Sequence, residues 1–386
     1  MFEIVFLIFT SLYFFQIVFF LIGAIKNYPK LSDEELPTAT VIVAARNENK
    51  NIIDCLKSLD KLEYPEGKLE IIIVDDHSTD NTYELTSNFI HDKSRFKLIQ
   101  PAKTIGVVKG KANAIANAIE IASGEIILTT DADCVVSKNW AKTLASYFTK
   151  DTALVCGYTN QFDDNLFKAM QSVDFVYLLG VAGGTMNLGK PLSCIGNNMS
   201  YRKDIYFEVG GYEKIPFSVT EDFQVLMAMH NLKKYKIIYP IDKEGLVTSK
   251  AFDNIKSLYW QKKRWGVGGL KSDLVGYLVM ATAFITHIGF LMQPLFFSLN
   301  TLVISLFKIL IDFYFLKEIY KKLSLKLRVS HFVIFEIYFL IYVVVLPFLV
   351  INKKVKWKDR TYNWWRVNEE IIIPISGFEY FYKCTN

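Results

Sequence analysis

Uncharged apolar runs at both ends of the chain constrain its fold more than any other feature. Residues 4–25 carry no charge over 22 positions. About 20 apolar residues at ~1.5 Å rise per residue cross a ~30 Å hydrocarbon core, so this run predicts a transmembrane helix. A cleaved secretory signal wants a basic start and a shorter apolar stretch. Here the chain starts Met1-Phe2-Glu3, and Lys26 and Lys30 come after the run. Those lysines favour a cytoplasmic C-terminal flank. A second block, 274–316, has no charge before Lys308 and is 43 residues long. That length predicts two spans turning near Gln293-Pro294. A third run, 332–351, has Glu336 as its one charge.

The basic flanks do not fit one simple topology. With a cytoplasmic middle segment, two spans return the chain to the cytoplasm at the basic stretch 317–328, as the positive-inside rule asks. A third span then leaves Lys353, Lys354, Lys356 and Lys358 on the far side, against that rule. A single long span in 274–307, or a re-entrant hairpin at 332–351, would keep the tail inside. Lys308, Asp312 and Glu336 at membrane depth each cost roughly 2.5–3.5 kcal/mol at a helix centre. Lys308 and Asp312 are four apart and can pair. They lie either near the headgroups or along a path for a lipid headgroup.

Composition excludes several classes. Hydrophobic residues at 51% against 22% charged rule out a disordered chain. Five scattered cysteines (Cys55, Cys134, Cys156, Cys194 and Cys384) offer no disulfide framework and no zinc-ligand spacing. A net charge of +5 is too mild to argue for nucleic acid.

Between the apolar ends, the pattern alternates strand and helix. Residues 38–45 (TATVIVAA), 70–74 (EIIIV), 96–99, 125–130 (EIILTT) and 153–158 read as short buried strands. Helical spacing occupies 48–59, the stretch after Ser78-Thr79-Asp80 through Ile90, and 111–122. This alternation predicts an α/β domain with a mostly parallel sheet covered on both faces. In such sheets ligands bind beyond the carboxyl ends of the strands. Two acidic clusters fall at two of those ends.

Asp131-Ala132-Asp133 leaves an apolar strand, and paired carboxylates there suit Mg²⁺ or Mn²⁺ completed by substrate phosphates. Asp75-Asp76-His77-Ser78-Thr79-Asp80 leaves another. Asp80 or Ser78 caps the next helix, and Asp75 or Asp76 can accept a hydrogen bond from a base or ribose. Lys111 opens a helix after Gly110, where a phosphate can meet amide donors. Thr220-Glu221-Asp222 precedes a helical stretch; it is a cap or a general base for an acceptor hydroxyl. Gln261-Lys262-Lys263-Arg264-Trp265 lies among Ile255, Leu258, Tyr259, Val267 and Leu270, an amphipathic pattern suited to the membrane interface. Arg264 and Trp265 can also bind a diphosphate and stack on a sugar.

VIVAARNE, VDDHSTD, GKANAI, TTDAD, TED and QKKRW occur in that order. Together they make the chain resemble a membrane-bound family 2 glycosyltransferase over about 37–270. The resemblance implies a GT-A type nucleotide-diphospho-sugar transferase fold flanked by transmembrane helices. It divides the chain into an N-terminal transmembrane helix (1–30), a cytoplasmic catalytic domain (37–252), an interfacial helix with QxxRW (253–272), two or three transmembrane helices (274–351) and a basic, aromatic tail (352–386). It implies that Ala44, Arg46, Glu48, Asp75, Asp76, Lys111 and Asp131 bind the nucleotide-sugar. Asp131 and Asp133 would hold the metal. Asp222, with Glu221, would be catalytic, and Asn197, Asn198, Gln261, Arg264 and Trp265 would border diphosphate and acceptor. Trp357-Lys358-Asp359-Arg360 is similar to a Trp-Lys-Gly-Arg tail in some lipid-glycosylating relatives, but Asp359 departs from it.

The expected chemistry is inverting, metal-dependent transfer from a nucleotide-sugar, a UDP-sugar by resemblance, to a lipid or polyprenyl-like acceptor at the inner cell membrane. A processive polysaccharide synthase shares the QxxRW motif, but about four membrane segments are few for a polymer channel. A glycoside hydrolase also uses two carboxylates. It needs neither an acidic pair at a strand exit nor a cytoplasm-facing anchor, and its activity would survive EDTA. A non-catalytic membrane adaptor would be indifferent to Asp222→Asn.

Overall fold

The computed structural model of the protein describes residues 1–363 apart from 217, 219, 271, 353, 358 and 359. The chain starts with helix α1 (Phe2–Ala24). Strands and helices then alternate: β1 (Ala39–Ala45), α2 (Ile52–Asp60), β2 (Leu69–Asp75), α3 (Thr82–Ile90), β3 (Phe96–Ile99), α4 (Lys111–Ile121) and β4 (Ile126–Asp131). Next come β5 (Val135–Val136), α5 (Trp140–Ser146), β6 (Thr152–Cys156), β7 (Thr159–Gln161) and the long α6 (Leu166–Asn187). The domain closes with β8 (Met199–Arg202), α7 (Lys203–Glu208), α8 (Gly211–Lys214), α9 (Glu221–Asn231), β9 (Lys236–Ile238) and β10 (Val247–Ser249). Helices α10 (Ile255–Gly269), α11 (Leu274–Met292), α12 (Leu299–Lys322) and α13 (Val329–Leu349) follow. A hairpin of β11 (Lys354–Trp357) and β12 (Arg360–Asn363) ends the described chain. Lys358 and Asp359, and the tail from 364 to 386, lie outside the described residues.

The main sheet has seven strands in the order β3-β2-β1-β4-β8-β6-β9. Its pairs are parallel except those β8 makes with β4 and β6. The alternating pattern did not predict β8, four residues long and running against its neighbours. Strands β1, β2 and β4 have near-continuous apolar burial, as strands covered on both faces require. Their register sets Ala45 beside Asp75 and Ala44 beside Asp131, so three carboxyl ends share one edge. A second sheet, β5-β10-β7, lies alongside.

Two local boundaries differ from expectation. Helix α2 starts at Ile52 rather than 48, because Asn47 turns the chain with φ +54°. After β2, the N-cap position of α3 is Asn81, one residue past Asp80, whose Oδ1 accepts from the Thr82 amide at 3.0 Å. Ser78 instead accepts from the Asn47 amide at 3.0 Å.

Four helices, α1, α11 with its following turn, α12 and α13, are long and apolar enough to cross a membrane. Helix α1 packs backbone to backbone on α6. A Cβ on Gly23 would lie 2.1 Å from the Gly184 carbonyl oxygen, so only glycine permits that approach. Lys308 and Asp312 are 1% and 0% exposed and pair at 2.9 Å, and Glu336 meets Lys308 at 2.7 Å. Tyr13 and Tyr177 donate to Asp312 Oδ1 at 2.8 and 3.1 Å. The trio is therefore enclosed among helices, and each member has a partner.

Candidate active site

The exits of β1 and β2 are tied into one floor. Asn47 and His77 both take positive φ there, +54° and +53°. Asn47 Oδ1 accepts from the Thr79 amide at 2.8 Å, linking the two loops. Arg46 Nη1 donates to the Asp76 carbonyl at 2.9 Å. Ala44, Arg46, Glu48 and Asp76 line a cavity of about 820 Å³. Asp75 lies behind that wall. It is 1% exposed, and its Oδ2 accepts from Gln100 Nε2 at 2.9 Å and from the Ser78 amide at 3.2 Å.

Beside this floor stand Asp131, Asp133 and Lys111, all lining the cavity. Gly110 precedes Lys111 with φ +61°, a conformation natural to glycine, and sets the helix start. The Lys111 ammonium pairs with the Asp131 carboxylate. Burial opposes the charge on Lys111, but Asp131, Glu221 and Asp222 hold its pKa above the usual lysine value. Burial, then the charges of Asp131 and Glu48, push Asp133 up to about 6. A divalent cation would relieve that repulsion. Among the described residues no three His, Cys, Asp or Glu converge into a full cage. Two carboxylates still fit Mg²⁺ or Mn²⁺, which keep waters and substrate phosphates among their ligands.

Glu221 and Asp222 form the first turn of α9 and face the same cavity. The Phe223 amide donates to Asp222 Oδ1 at 2.8 Å, as helix N-termini favour. Burial raises both carboxyls above the usual range, while Lys111 and Arg264 pull them back. Opposite stands the turn Gly196–Asn198, held by Thr129 Oγ1, which donates to the Gly196 carbonyl at 2.8 Å.

Of the two asparagines predicted for the acceptor, one reaches the cavity. Asn197 lines it, with its Oδ1 accepting from Thr159 Oγ1 at 2.9 Å. Asn198 is 0% exposed and does not line it. Its amide donates to the Tyr158 and Gly245 carbonyls at 2.6 and 2.9 Å and accepts from Trp140 Nε1 at 2.9 Å. The structure thus corrects the expected acceptor contact to a clamp that fixes the turn from behind.

Gln261, Arg264 and Trp265 line the cavity from one face of α10, as i, i+3, i+4 spacing dictates. Lys262 points elsewhere, into a buried ion pair with Asp174 of α6. The Trp265 ring lies 4.4 Å from the Lys262 ammonium and 5.5 Å from Phe175. Past Trp265 the cavity continues between membrane-side helices, bounded by Ile17 and Phe20 of α1, Leu178 and Val181 of α6, and Met280 and Phe284 of α11.

Sequence reasoning missed Gln161 and Lys250, which also line the cavity. They sit at the ends of β7 and β10, three-residue strands too short to show periodicity. It also missed Tyr13 and Tyr177, since nothing in two apolar runs says which residues turn toward a shared space.

The model of "Glycosyl transferase family 2" matches residues 40–210, and that of "Glycosyl transferase family group 2" matches 126–352. A beta-monoglucosyldiacylglycerol synthase from Nostoc sp. is 26% identical over 256 residues, 64% of this chain and 52% of that protein. A poly-beta-1,6-N-acetyl-D-glucosamine synthase from Staphylococcus epidermidis is 28% identical over 244 residues, 62% of this chain and 56% of that protein. The chain thus spans about half the length of these curated relatives. Among solved structures, a mannosyltransferase from Pyrobaculum calidifontis in complex with GDP-Man and Mn²⁺ aligns with a TM-score of 0.60 at 15% identity. It covers 91% of this chain and 99% of its own, a likeness of fold.

Proposed function

Because the chain belongs to glycosyl transferase family 2, we propose that it transfers one sugar from a nucleotide-sugar to a lipid-like acceptor, with inversion at the anomeric carbon. One observation carries this reading. Asp222 and the Asp131/Asp133 pair share a cavity that runs on, apolar, between helices able to enter a membrane. A polymer path would want polar walls for a hydrated chain; here Ile17, Phe20, Val181, Met280 and Phe284 line the cavity together with Tyr13, Gln16, Tyr177 and Tyr342, a mostly apolar wall. A relative named for glucosyldiacylglycerol synthesis supports the lipid acceptor, and one named for poly-N-acetylglucosamine synthesis supports the processive alternative.

Asp222 takes the proton from the acceptor hydroxyl as that oxygen bonds to the anomeric carbon. The bond from that carbon to the diphosphate breaks, and the diphosphate leaves with the extra negative charge. Lys111 and Arg264, aimed into the same cavity, offset that charge. Asp131 and Asp133 would hold the divalent cation, which stabilises charge on the diphosphate when bound. Arg46, Glu48 and Asp76 border the nucleoside end, with Asp75 bracing its floor. Asn197, Gln261 and Trp265 border the acceptor. The donor class is a UDP-sugar, and the catalytic domain faces the cytoplasm, where nucleotide-sugars are found, from a multi-pass inner-membrane anchor.

The test is product analysis. The full chain, purified into bilayers, is given labelled nucleotide-sugars and a native lipid extract, with and without EDTA. A single lipid-soluble adduct, lost with EDTA and restored by Mg²⁺ or Mn²⁺, is expected. A long polymer would establish the processive reading instead, and EDTA-resistant sugar release would point to hydrolysis.

A further inference from the structure

Both ends of α13 meet the same side of the protein. At its start, His331 Nδ1 lies 3.5 Å from Asp163 Oδ2, and Asp163 follows β7 by two residues. At its end, Val350 joins Val267 of α10 and Val355 of β11 in a small buried cluster. A Cβ on Gly266 would lie 2.7 Å from both Leu346 and Val350, and Gly266 adjoins Trp265. The β7 exit and α10 both border the catalytic cavity.

Helix α13 has 21 residues, so it is about 31 Å long. Crossing a bilayer would leave ends that far apart on opposite faces. Helix α1 does separate its ends in this way, and the turn between α11 and α12 meets its far end. Far from the catalytic domain, Glu3 of α1 accepts from Asn300 Nδ2 at 3.2 Å, beside the turn between α11 and α12. Next to the catalytic domain, the Gly23 carbonyl of α1 accepts from Asn187 Nδ2 at 2.9 Å.

We infer that α13 does not cross the bilayer: both of its ends stay on the catalytic side, and it forms the outer wall of the cavity. Val333, Ile337, Ile341, Val345 and Phe348 form one exposed apolar stripe that faces lipid. Phe332, Phe335 and Phe339 on the opposite face are buried. Glu336 pins the middle of the helix to Lys308 at 2.7 Å. Tyr13 and Tyr177, braced by Asp312, close the cavity toward the far leaflet. The basic hairpin that starts at Lys354 then sits on the catalytic side, and the conflict with the positive-inside rule disappears. A lipid acceptor would enter from that side, past Val343 and Leu346; this last step rests on the function proposed above.

Topology is tested first, without reference to activity. The full chain carries a C-terminal epitope tag and, in separate variants with Cys384→Ser, Phe297→Cys or Lys326→Cys. Sealed membrane vesicles of both orientations are treated with protease or an impermeant maleimide. Tag cleavage and Lys326→Cys labelling are expected in the same orientation as digestion of the catalytic domain, with Phe297→Cys labelled in the other. A tag reached from the Phe297 face would overturn the inference. The wall is tested by Val343→Trp, with Ile337→Trp on the outer stripe as control. Val343→Trp should raise the acceptor KM roughly tenfold or more with nucleotide affinity retained, while Ile337→Trp leaves both unchanged. Equal effects of the two variants would remove α13 from the cavity wall. If no acceptor is ever glycosylated, the proposed function fails while the vesicle result stands.

Discussion

A Cβ placed on Gly196 would come 3.1 Å from both Cβ and Oδ2 of Asp222. That contact is tighter than packed side chains normally tolerate, so the turn and the carboxylate are fitted to each other. Gly196→Ala should displace Asp222 by a few tenths of an ångström and leave the donor floor untouched. A displacement of about 1 Å can cost about 100-fold, so a kcat loss of roughly tenfold is expected with donor KM unchanged. Steady-state kinetics with donor and acceptor varied separately read this directly; a raised donor KM would mean that the turn serves the nucleotide instead.

Asp222→Asn keeps the shape of the side chain and removes the base. Transfer should fall by about 10²–10⁴-fold, while nucleotide-sugar binding measured by calorimetry persists. Glu221→Gln should cost less, because its partner remains ionisable. Unaltered transfer by Asp222→Asn would place the base elsewhere.

The pH profile carries a sign. A base must be ionised to work, and burial raises the Asp222 pKa against the opposing pull of Lys111 and Arg264. Glu221, its buried neighbour, is raised as well, in part by Asp222 itself. The acidic limb of kcat/KM should therefore lie above the ordinary aspartate range and fall as pH drops through it. Lys111→Met removes the largest influence that lowers Asp222, so the limb should move to higher pH. A limb that moves down, or not at all, would separate Lys111 from the base.

The catalytic half was largely legible because its chemistry sits at strand exits. Apolar runs such as EIIIV and EIILTT end on acids, and parallel register then brings Asp75 and Asp131 to one edge. Spacing of three and four residues put Gln261, Arg264 and Trp265 on one face of α10. What escaped depends on contacts between distant residues. Strand β8 is four residues with no alternation to advertise it, yet it splits β4 from β6. Asn198 had the right neighbours for a ligand contact, but Trp140 and Gly245 claim its amide. The run 332–351 is apolar enough to cross, and the inference that it returns rests on contacts at its two ends, His331 with Asp163 and Val350 with Val267.

The same kind of distant contact supports the indole of Trp265, which lines the cavity and is proposed to border the acceptor. Lys262 and Asp174 are 4% and 1% exposed and pair between α10 and α6. Burial raises Asp174 and lowers Lys262, each drawn back toward charge by the other. Removing one partner strands a buried charge, so Lys262→Met alone should destabilise by about 3–5 kcal/mol. Replacing both, Lys262→Met with Asp174→Leu, should recover most of that loss, since an apolar pair of similar volume is often neutral. Trp265 would nonetheless lose the ammonium 4.4 Å from its ring, a contact worth about 0.5–2 kcal/mol. The double variant should thus melt near the parent yet show an acceptor KM raised several-fold, with donor KM unchanged and Trp fluorescence altered. A double variant with parental acceptor KM would make the pair purely structural. A single variant as stable as the parent would mean that water reaches Asp174.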